Sequence, residues 1–304
     1  MTLKQLEYLL AVAECGSFTV ASRRLGVSQP ALSQQVRALE AEVGATLLER
    51  PPRPVRLTSA GQALAAEARI SVTSASRALA AGREAAKGQA SRLDIATVQS
   101  LAASVLPDCI RRWRLTSRFT TLRVHEFANR HDVENLVAAG EADLGIAPRP
   151  TQWRGAVRPL GWDELVVVLS PDQPLSHAGA PVPLAALAHD EWVLYEPEHG
   201  LRDIVQQACE RSGFTPKAAL TTTQLESAAR MGAAGLGPAA LPLANVPSEL
   251  RQAAHRLDPP VVWEIAAYTA ASAFSGLASA FLMVLADGQW QRRVPRGALV
   301  LTHE

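Results

Sequence analysis

The stretch that decides the fold runs from Gly16 to Gly44 and reads GSFTVASRRLGVSQPALSQQVRALEAEVG. Ser17 predicts the start of a short helix that ends at Leu25, because a serine hydroxyl satisfies one unpaired N–H of a first helical turn. Ser28 predicts a second helix in the same way, with proline in its first turn, where the missing N–H costs nothing. Two short helices joined by a tight turn indicate a helix-turn-helix.

The second of these helices has one apolar and one polar face. Its apolar positions recur at helical spacing and predict a buried stripe of Leu32, Val36, Leu39 and Val43. The opposite face carries amides, a hydroxyl, a guanidinium and a proline: Gln29, Pro30, Ser33, Gln34 and Arg37. Amides and guanidinium groups match base edges in the DNA major groove. A solvated surface helix is the alternative, but the preceding helix, the turn and the two caps favour DNA binding.

Composition and charge restrict the class of protein. The chain has 304 residues and a net charge of +1, while residues 1–90 hold 11 Lys and Arg against 7 Asp and Glu. A mildly basic N-terminal part on an acidic remainder fits a regulator better than a general polyanion binder. The three cysteines lie far apart, without a CxxC pair or a histidine at metal spacing. We therefore expect no metal site and a cytoplasmic protein, with a redox role for Cys209 as an alternative.

Two segments resemble membrane signals only superficially. At the N-terminus Glu14 precedes Cys15, where a lipoprotein signal needs a small residue. Ile265–Ala286 is uncharged over the length of a bilayer, but hydroxyl residues and glycine interrupt it. We predict a strand over Trp263–Tyr268 and a helix over about Ser275–Leu285 instead, and expect no membrane partner.

The segment ERPPRPVRLTSAG, residues 49–61, combines three prolines with three arginines. A proline-stiffened hairpin with arginines at its tip predicts a wing that reaches a minor groove or a phosphate. An ordinary basic loop is the alternative.

A long helix is predicted after the wing, over Ser59–Lys87, with Thr58 as its cap and a length of about 45 Å. Its apolar positions form a thin seam of Leu64, Ala68, Val72, Ala75 and Leu79. Because such a seam has too little to bury by itself, we predict a dimer formed through this helix. Gly82–Arg92 is the predicted hinge.

From Arg92 onward, strands alternate with helices, which predicts parallel sheets covered by helices in two small lobes. The predicted strands are 93–98, 122–127, 142–147, 163–170, 191–196, 218–223 and 263–268, and the predicted helices are 102–115, 132–139, 201–212 and 226–234.

Together these features resemble LysR-type transcriptional regulators, a bacterial family. The resemblance is carried, in the family's order, by ASRRLGVSQPALSQQVRALEAEVGATLLER (21–50), RPVRLTSAG (53–61), AGEADLGIA (139–147) and AAGLGPAALP (233–242). It implies an α/β chain with an N-terminal all-α winged helix-turn-helix, a long linker helix that dimerises, and an effector-binding domain of two subdomains similar to periplasmic binding proteins. Tetramers built from two dimers are common in the family.

The resemblance also implies domain limits. The winged helix-turn-helix would span 1–58, the linker helix and hinge 59–91, and the effector-binding domain 92–304. Subdomain I would comprise 92–162 and 269–304, and subdomain II would comprise 163–268.

The DNA contacts that the resemblance implies lie in the first domain. Bases in the major groove would be contacted by Gln29, Pro30, Ser33 and Gln34, and Arg53 would enter the minor groove from the wing. The phosphate contacts would come from Thr19, Ser28 and Arg37.

The effector contacts would surround the cleft between the subdomains: Gln99, Ser100, Phe127, Asn129, Glu196, His199, Arg202, Thr222 and Thr223. Ser100 opens a helix, whose free N–H groups favour an anion, so we expect a small carboxylate or another polar metabolite. The alternative for each of these residues is a local structural role, as a helix cap or in a turn. No cofactor is expected.

Two other classes of protein compete with a regulator. For an enzyme, GLGPAALP lacks the spacing of a nucleotide-binding loop, and the seven histidines show no catalytic arrangement. A solute-binding protein would explain only the C-terminal two thirds. We predict a sequence-specific, oligomeric transcriptional regulator that a small-molecule effector modulates and that also contacts RNA polymerase.

Overall fold

The computed structural model describes most of the chain and divides it into two compact units. The described residues are 1–49, 54–86, 92–117, 120–177, 179–274, 276–288 and 290–302. The units are Met1–Ser91 with Ala138–Glu141, and Arg92–Val137 with Ala142–Glu304. Among the described helices, none is long and apolar enough to cross a bilayer.

The first unit is helical, with a small two-stranded sheet. Its elements are α1 (Leu3–Cys15), α2 (Phe18–Leu25), α3 (Gln29–Val43), β1 (Leu48–Glu49), β2 (Arg56–Leu57) and α4 (Ser59–Ala86). The predicted caps are confirmed, since the Ser17 hydroxyl accepts the N–H of Val20 and the Ser28 hydroxyl accepts that of Ala31, each at 3.4 Å. Between the two helices Gly26 has a φ of 67°, in the left-handed region that favours glycine.

The apolar stripe of α3 belongs to the core of the first unit. Leu32, Val36 and Leu39 are all 0% exposed, in one cluster with the apolar residues of α1. The fourth predicted member is wrong: Val43 is 43% exposed. It is the last residue of α3, at the point where the chain turns away at Gly44.

The base of the predicted wing is the pairing of β1 with β2, where Leu48 lies opposite Leu57. The Glu40 carboxylate holds this base, because its Oε1 accepts the N–H groups of Leu47 at 2.9 Å and of Leu48 at 3.3 Å. The tip of the wing, residues 50–53, lies outside the described residues. The minor-groove contact of Arg53 therefore stays a prediction.

The first half of α4 is part of this core rather than a free seam. Ala65 and Ala68 are 4% and 1% exposed, and α4 packs along α1. The Arg69 guanidinium also lies 3.3 Å from the Glu14 carboxylate of α1. The prediction that this helix has too little to bury by itself is therefore wrong for its first half. In the second half, Leu79 is 56% exposed.

Replacing Glu40 by alanine should destabilise the first unit, because two backbone N–H groups at the base of the wing lose their acceptor. We expect the free energy of unfolding of this unit to fall by about 1–3 kcal/mol, the usual penalty for stranded donors. Urea denaturation of the full chain measures it, with the exposed α1 residue in Glu7→Ala as the control. Equal losses in both variants would show that the Glu40 bonds contribute nothing.

The second unit consists of two lobes on one continuous sheet. Its strands are β3 (Arg92–Val98), β4 (Thr121–Phe127), β5 (Leu144–Pro148), β6 (Val157–Val168), β7 (Val182–Pro183), β8 (Glu191–Tyr195), β9 (Lys217–Thr222), β10 (Ala239–Pro242), β11 (Ala254–Tyr268) and β12 (Leu299–Leu301). Its α-helices are α5 (Gln99–Ser104), α6 (Leu106–Trp113), α7 (Arg130–Ala138), α8 (Gly200–Arg211), α9 (Leu225–Ala233) and α10 (Gly276–Ala286).

The strand order is β4-β3-β5-β11-β6-β10-β8-β9, and β7 and β12 also pair with β11. Parallel pairs lie on both sides, as predicted: β3 with β4 and β5 in the first lobe, and β8 with β9 and β10 in the second. The centre differs from the prediction, because β6 and β11 form a long antiparallel pair that extends well before 163 and 263. Proline, arginine and glycine in residues 157–162 and 254–262 break the apolar pattern there.

The predicted helix over 102–115 is two helices, α5 and α6. The break falls at Val105, and Pro107 follows in the first turn of α6, where it has no N–H to donate to the preceding turn. The predicted helix near the C-terminus is confirmed as α10. It packs on α6, where the rings of Trp113 and Phe281 meet edge to face with centroids 5.5 Å apart.

Candidate DNA-binding surface and ligand cavity

The predicted DNA-contacting residues of α3 share one outward face. Gln29, Pro30, Gln34 and Arg37 are exposed and Ser33 is half-buried, whereas the apolar stripe on the other face is fully buried. The helix therefore presents amides and a guanidinium to solvent on a rigid support. This is the chemistry that reads base edges or binds phosphate.

One of these side chains, Gln29, is joined to the preceding helix. The hydroxyl of Thr19, exposed on α2, donates to Gln29 Oε1 at 3.0 Å. With its oxygen engaged, the Gln29 amide keeps its two N–H donors for other partners. Ser28 is exposed as well, but its hydroxyl caps α3.

A cavity of about 60 Å³ lies in the second unit, with room for a few water molecules or a very small ligand. It is bordered by the C-terminal ends of β3, β4 and β5, by β11 and by the first half of α8. The lining residues are Val98, Gln99, Ser100, Ala128, Asn129, Arg130, His131, Pro148, His199, Gly200, Leu201, Asp203, Ile204, Gln207, Trp263 and Ile265.

Four predicted effector residues line this cavity together: Gln99, Ser100, Asn129 and His199. The other five lie outside its lining: Phe127, Glu196, Arg202, Thr222 and Thr223.

Several of these outer residues have local structural bonds. Glu196 accepts the Thr221 hydroxyl at 2.6 Å, and the Arg202 guanidinium donates to the Tyr195 carbonyl at 2.9 Å. The Thr222 hydroxyl accepts the Gln224 N–H at 3.3 Å.

His199 is the most distinctive lining residue, at 5% exposure. Its Nδ1 accepts the Leu201 N–H at 3.2 Å and so caps α8, and its ring stacks on Tyr195 at 4.7 Å. Burial lowers the pKa of His199, which favours the neutral ring. Because Nδ1 is the acceptor, Nε2 carries the proton, and within the described part of the chain it has no hydrogen-bond partner.

Hydrogen bonds join the two sides of the cavity. The Gly200 N–H donates to the Ala128 carbonyl at 3.0 Å, and the Asn129 amide donates to the Glu198 carbonyl at 3.3 Å. The Asn245 amide reaches the Ser100 carbonyl at 2.9 Å. The first two bonds bring the end of β4 directly against the start of α8.

The lining also includes residues that the sequence does not mark. Trp263 and Ile265 look like ordinary core positions of an apolar strand, yet they lie where β11 passes the cavity. Arg130 is 6% exposed, and its guanidinium lies 3.3 Å from the Glu134 carboxylate and bonds the Arg149 carbonyl. The only feature of the sequence that could have indicated a lining role for Arg130 is its position directly after the predicted polar end of β4.

The cysteine thiols of the second unit are buried. Cys109 and Cys209 are 1% and 0% exposed, and burial raises the pKa of Cys109 to about 11 and that of Cys209 to about 12. Because the thiolate is the reactive form, these neutral thiols are poor nucleophiles. A redox role for Cys209 is disfavoured.

Comparison with known proteins accounts for both units. Residues 3–62 match the bacterial regulatory helix-turn-helix proteins of the lysR family, and residues 86–289 match the LysR substrate binding domain. AlsR of Bacillus subtilis is 30% identical over 80% of this chain and 80% of its own length. The DNA-binding transcriptional dual regulator OxyR of Escherichia coli K12 is 30% identical over 83% and 82%.

Solved structures share the fold over almost the whole chain. Full-length OxyR from Pseudomonas aeruginosa is similar with a TM-score of 0.61 and 27% identity, over 94% of this chain and 97% of that one. CbnR in complex with its target DNA is similar in fold, with a TM-score of 0.56 and 23% identity over 94% and 99%. The predicted fold class is confirmed, and the helix-turn-helix match is not expected of a solute-binding protein. The chain belongs to the LysR family of DNA-binding transcriptional regulators.

Proposed function

We propose that this protein binds operator DNA as an oligomer and that a small molecule in the cavity of the second unit changes its regulatory activity. The observation that carries the proposal is the outward polar face of α3 on a buried apolar stripe, with Gln29 held by Thr19. Such a face reads bases, while the Arg37 guanidinium and the Ser28 hydroxyl, which keeps its own proton while it accepts the Ala31 N–H, suit phosphate. A phosphate contact by the Thr19 hydroxyl would replace its bond to Gln29. As a DNA-binding protein it would act in the bacterial cytoplasm and contact RNA polymerase at its promoters.

The second half of α4 supports a dimer as the minimal binding unit. Leu79 is 56% exposed there, on the same seam that is buried nearer the start of the helix. Complete burial of a leucine side chain stabilises a complex by about 1.5–3 kcal/mol. A second copy of α4 that covers Leu79 is therefore a favourable partner. A dimer would present two α3 helices to successive major grooves, about 34 Å apart. Pairs of such dimers would form the tetramer.

The cavity supports the effector part of the proposal. Its lining includes the polar residues His199, Gln99, Ser100 and Gln207, which suit a small carboxylate or another polar metabolite. At about 60 Å³ it has room for only a few water molecules. A larger ligand would separate the two sides, which would change the angle between the lobes and the placement of the DNA-binding units.

We propose binding rather than catalysis at this cavity. The imidazole of His199 caps a helix and Arg130 pairs with Glu134, so both act as structural groups. Among the described lining residues, no hydroxyl or thiol hydrogen-bonds a histidine, the arrangement that activates a nucleophile.

Gln34→Ala should weaken sequence discrimination, because it removes an exposed amide from the outward face of α3. We expect a loss of about 1–3 kcal/mol at one base pair of the operator. Gel-shift titrations on genomic fragments selected by the purified protein, and on single-base variants of them, measure this loss. Gln35→Ala, one residue along the same helix, is the matched control. If both variants discriminate as the parent does, the assignment of this face to the major groove is wrong.

Leu79→Glu should weaken the dimer, because it places a charge in the expected α4 interface. We expect the dissociation constant of the full-length dimer to rise by about tenfold or more, since a buried unpaired charge is strongly unfavourable. Sedimentation equilibrium at micromolar concentration gives the constant. Leu236→Glu, which changes a leucine that is 51% exposed in the second unit, is the control. An unchanged dimer in Leu79→Glu would refute the α4 interface.

Small carboxylates should stabilise the second unit against heat. A ligand at a hundredfold excess over its dissociation constant adds about 2.7 kcal/mol. A thermal-shift screen of monocarboxylates and dicarboxylates from acetate to succinate tests this. Ile204→Phe, at a lining residue that is 3% exposed, fills the cavity and should abolish the response, whereas Ile204→Leu should keep it. A response that survives in Ile204→Phe, or no response to any acid, contradicts the proposal.

A further inference from the structure

Residues 290–302, here named the C-terminal strap, follow α10 and lie beyond the stretch that matches the LysR substrate binding domain. They are nevertheless well connected to the rest of the second unit. The strap passes from α10 along both central strands to α8, and each of its two ends is fastened by different bonds.

The first end of the strap is fixed to α10 and β6. The Trp290 indole N–H donates to the Leu285 carbonyl at 2.7 Å, and the Trp162 N–H donates to the Gln291 carbonyl at 2.9 Å. The approach is close at Gly161, where an added Cβ would lie 2.7 Å from Trp290 Cβ. Glycine is therefore required under the strap at this point.

The second end of the strap is fixed to β11 and α8. β12 pairs in parallel with β11, so that Leu301 lies opposite Trp263, and Leu301 is only 3% exposed. The Arg211 guanidinium, at the last residue of α8, donates to the Val300 carbonyl at 3.0 Å. One short strand therefore connects β11 to a helix of the second lobe.

The elements that the strap connects are the ones that form the cavity. Trp263 is a lining residue, and α8 contributes lining residues between Gly200 and Gln207. Opening the cavity separates α8 from the end of β4, because the Gly200 N–H bonds the Ala128 carbonyl across it. The sheet order joins β4 to β11 through β3 and β5, so α8 would move relative to β11 as well. Such a movement would also pull the Arg211 end of α8 away from β12.

We propose that the C-terminal strap is a brake on the opening of the cavity. By joining β11 to α8 through the Arg211 bond and the burial of Leu301, it favours the closed arrangement and sets how strongly a ligand must bind to separate the lobes. The proposal rests on the proposed function in one respect, since it takes the cavity as the effector site.

Hydrogen exchange of the full chain tests the brake without any ligand. Arg211→Gln removes the guanidinium that holds Val300, and we expect amide exchange in peptides 128–131 and 198–203 to accelerate by about fivefold, the effect of one net hydrogen bond. The matched control is Arg296→Gln, with the same charge change at an exposed strap residue, and it should exchange at the parental rate. A chain that ends at Gln289 should show a larger acceleration.

The outcomes separate a brake from a merely structural tail. The brake is refuted if the cavity peptides of Arg211→Gln keep the parental rate, whatever happens to peptide 297–302. It is also refuted if exchange accelerates equally throughout the second unit, including β3, because that would be global destabilisation. Should the shortened chain fail to fold, Arg211→Gln alone decides. Faster cavity exchange together with no response to carboxylates would overturn the effector proposal but keep the brake.

Discussion

The antiparallel pairing of β6 with β11 is the constraint on which the second unit depends. The parallel strands of the first lobe join this pair through β5, and those of the second lobe join it through β10. The pair also holds charge in a buried place: Glu164 is 3% exposed and lies 3.1 Å from Arg256. Burial raises the pKa of the neighbouring Asp163 to about 7, so folding favours its protonated form.

The same pair fixes where the cavity of the second unit lies. The strands of the first lobe lie on one side of this pair and those of the second lobe on the other. The end of β4 thereby meets the start of α8, and the cavity forms between them. The first N–H groups of α8 are already occupied there, by the Ala128 carbonyl, by His199 Nδ1 and by the His199 carbonyl. A ligand in the proposed effector site would therefore be selected by side chains such as His199 and Gln207 rather than by the helix terminus.

The sequence predicts local features of this molecule better than long-range ones. The caps at Ser17 and Ser28 depend on neighbouring residues, and both were predicted correctly. The full length of β6 and β11 was not predicted, because their first residues include prolines and arginines that do not look like a strand. These residues are in strands because each pairs with a strand that lies far along the chain. The thin seam of α4 was visible, but an apolar pattern does not say whether α1 or a second copy covers it. Likewise nothing local distinguishes Trp263 at a cavity from a tryptophan in a core.

The bond between Thr19 and Gln29 has a consequence for recognition beyond geometry. A free glutamine side chain loses up to about 2 kcal/mol of rotamer entropy when it is immobilised. In this protein the hydroxyl of Thr19 already restricts the Gln29 side chain in the absence of DNA. Part of its rotamer entropy is therefore lost when the protein folds rather than when it binds DNA. In the proposed complex a base that fits the restricted amide would gain nearly the full hydrogen-bond energy. A base that does not fit would first have to break the exposed bond to Thr19, at a cost of about 0.5–1.5 kcal/mol, so preorganisation of this side chain would sharpen the choice between sequences.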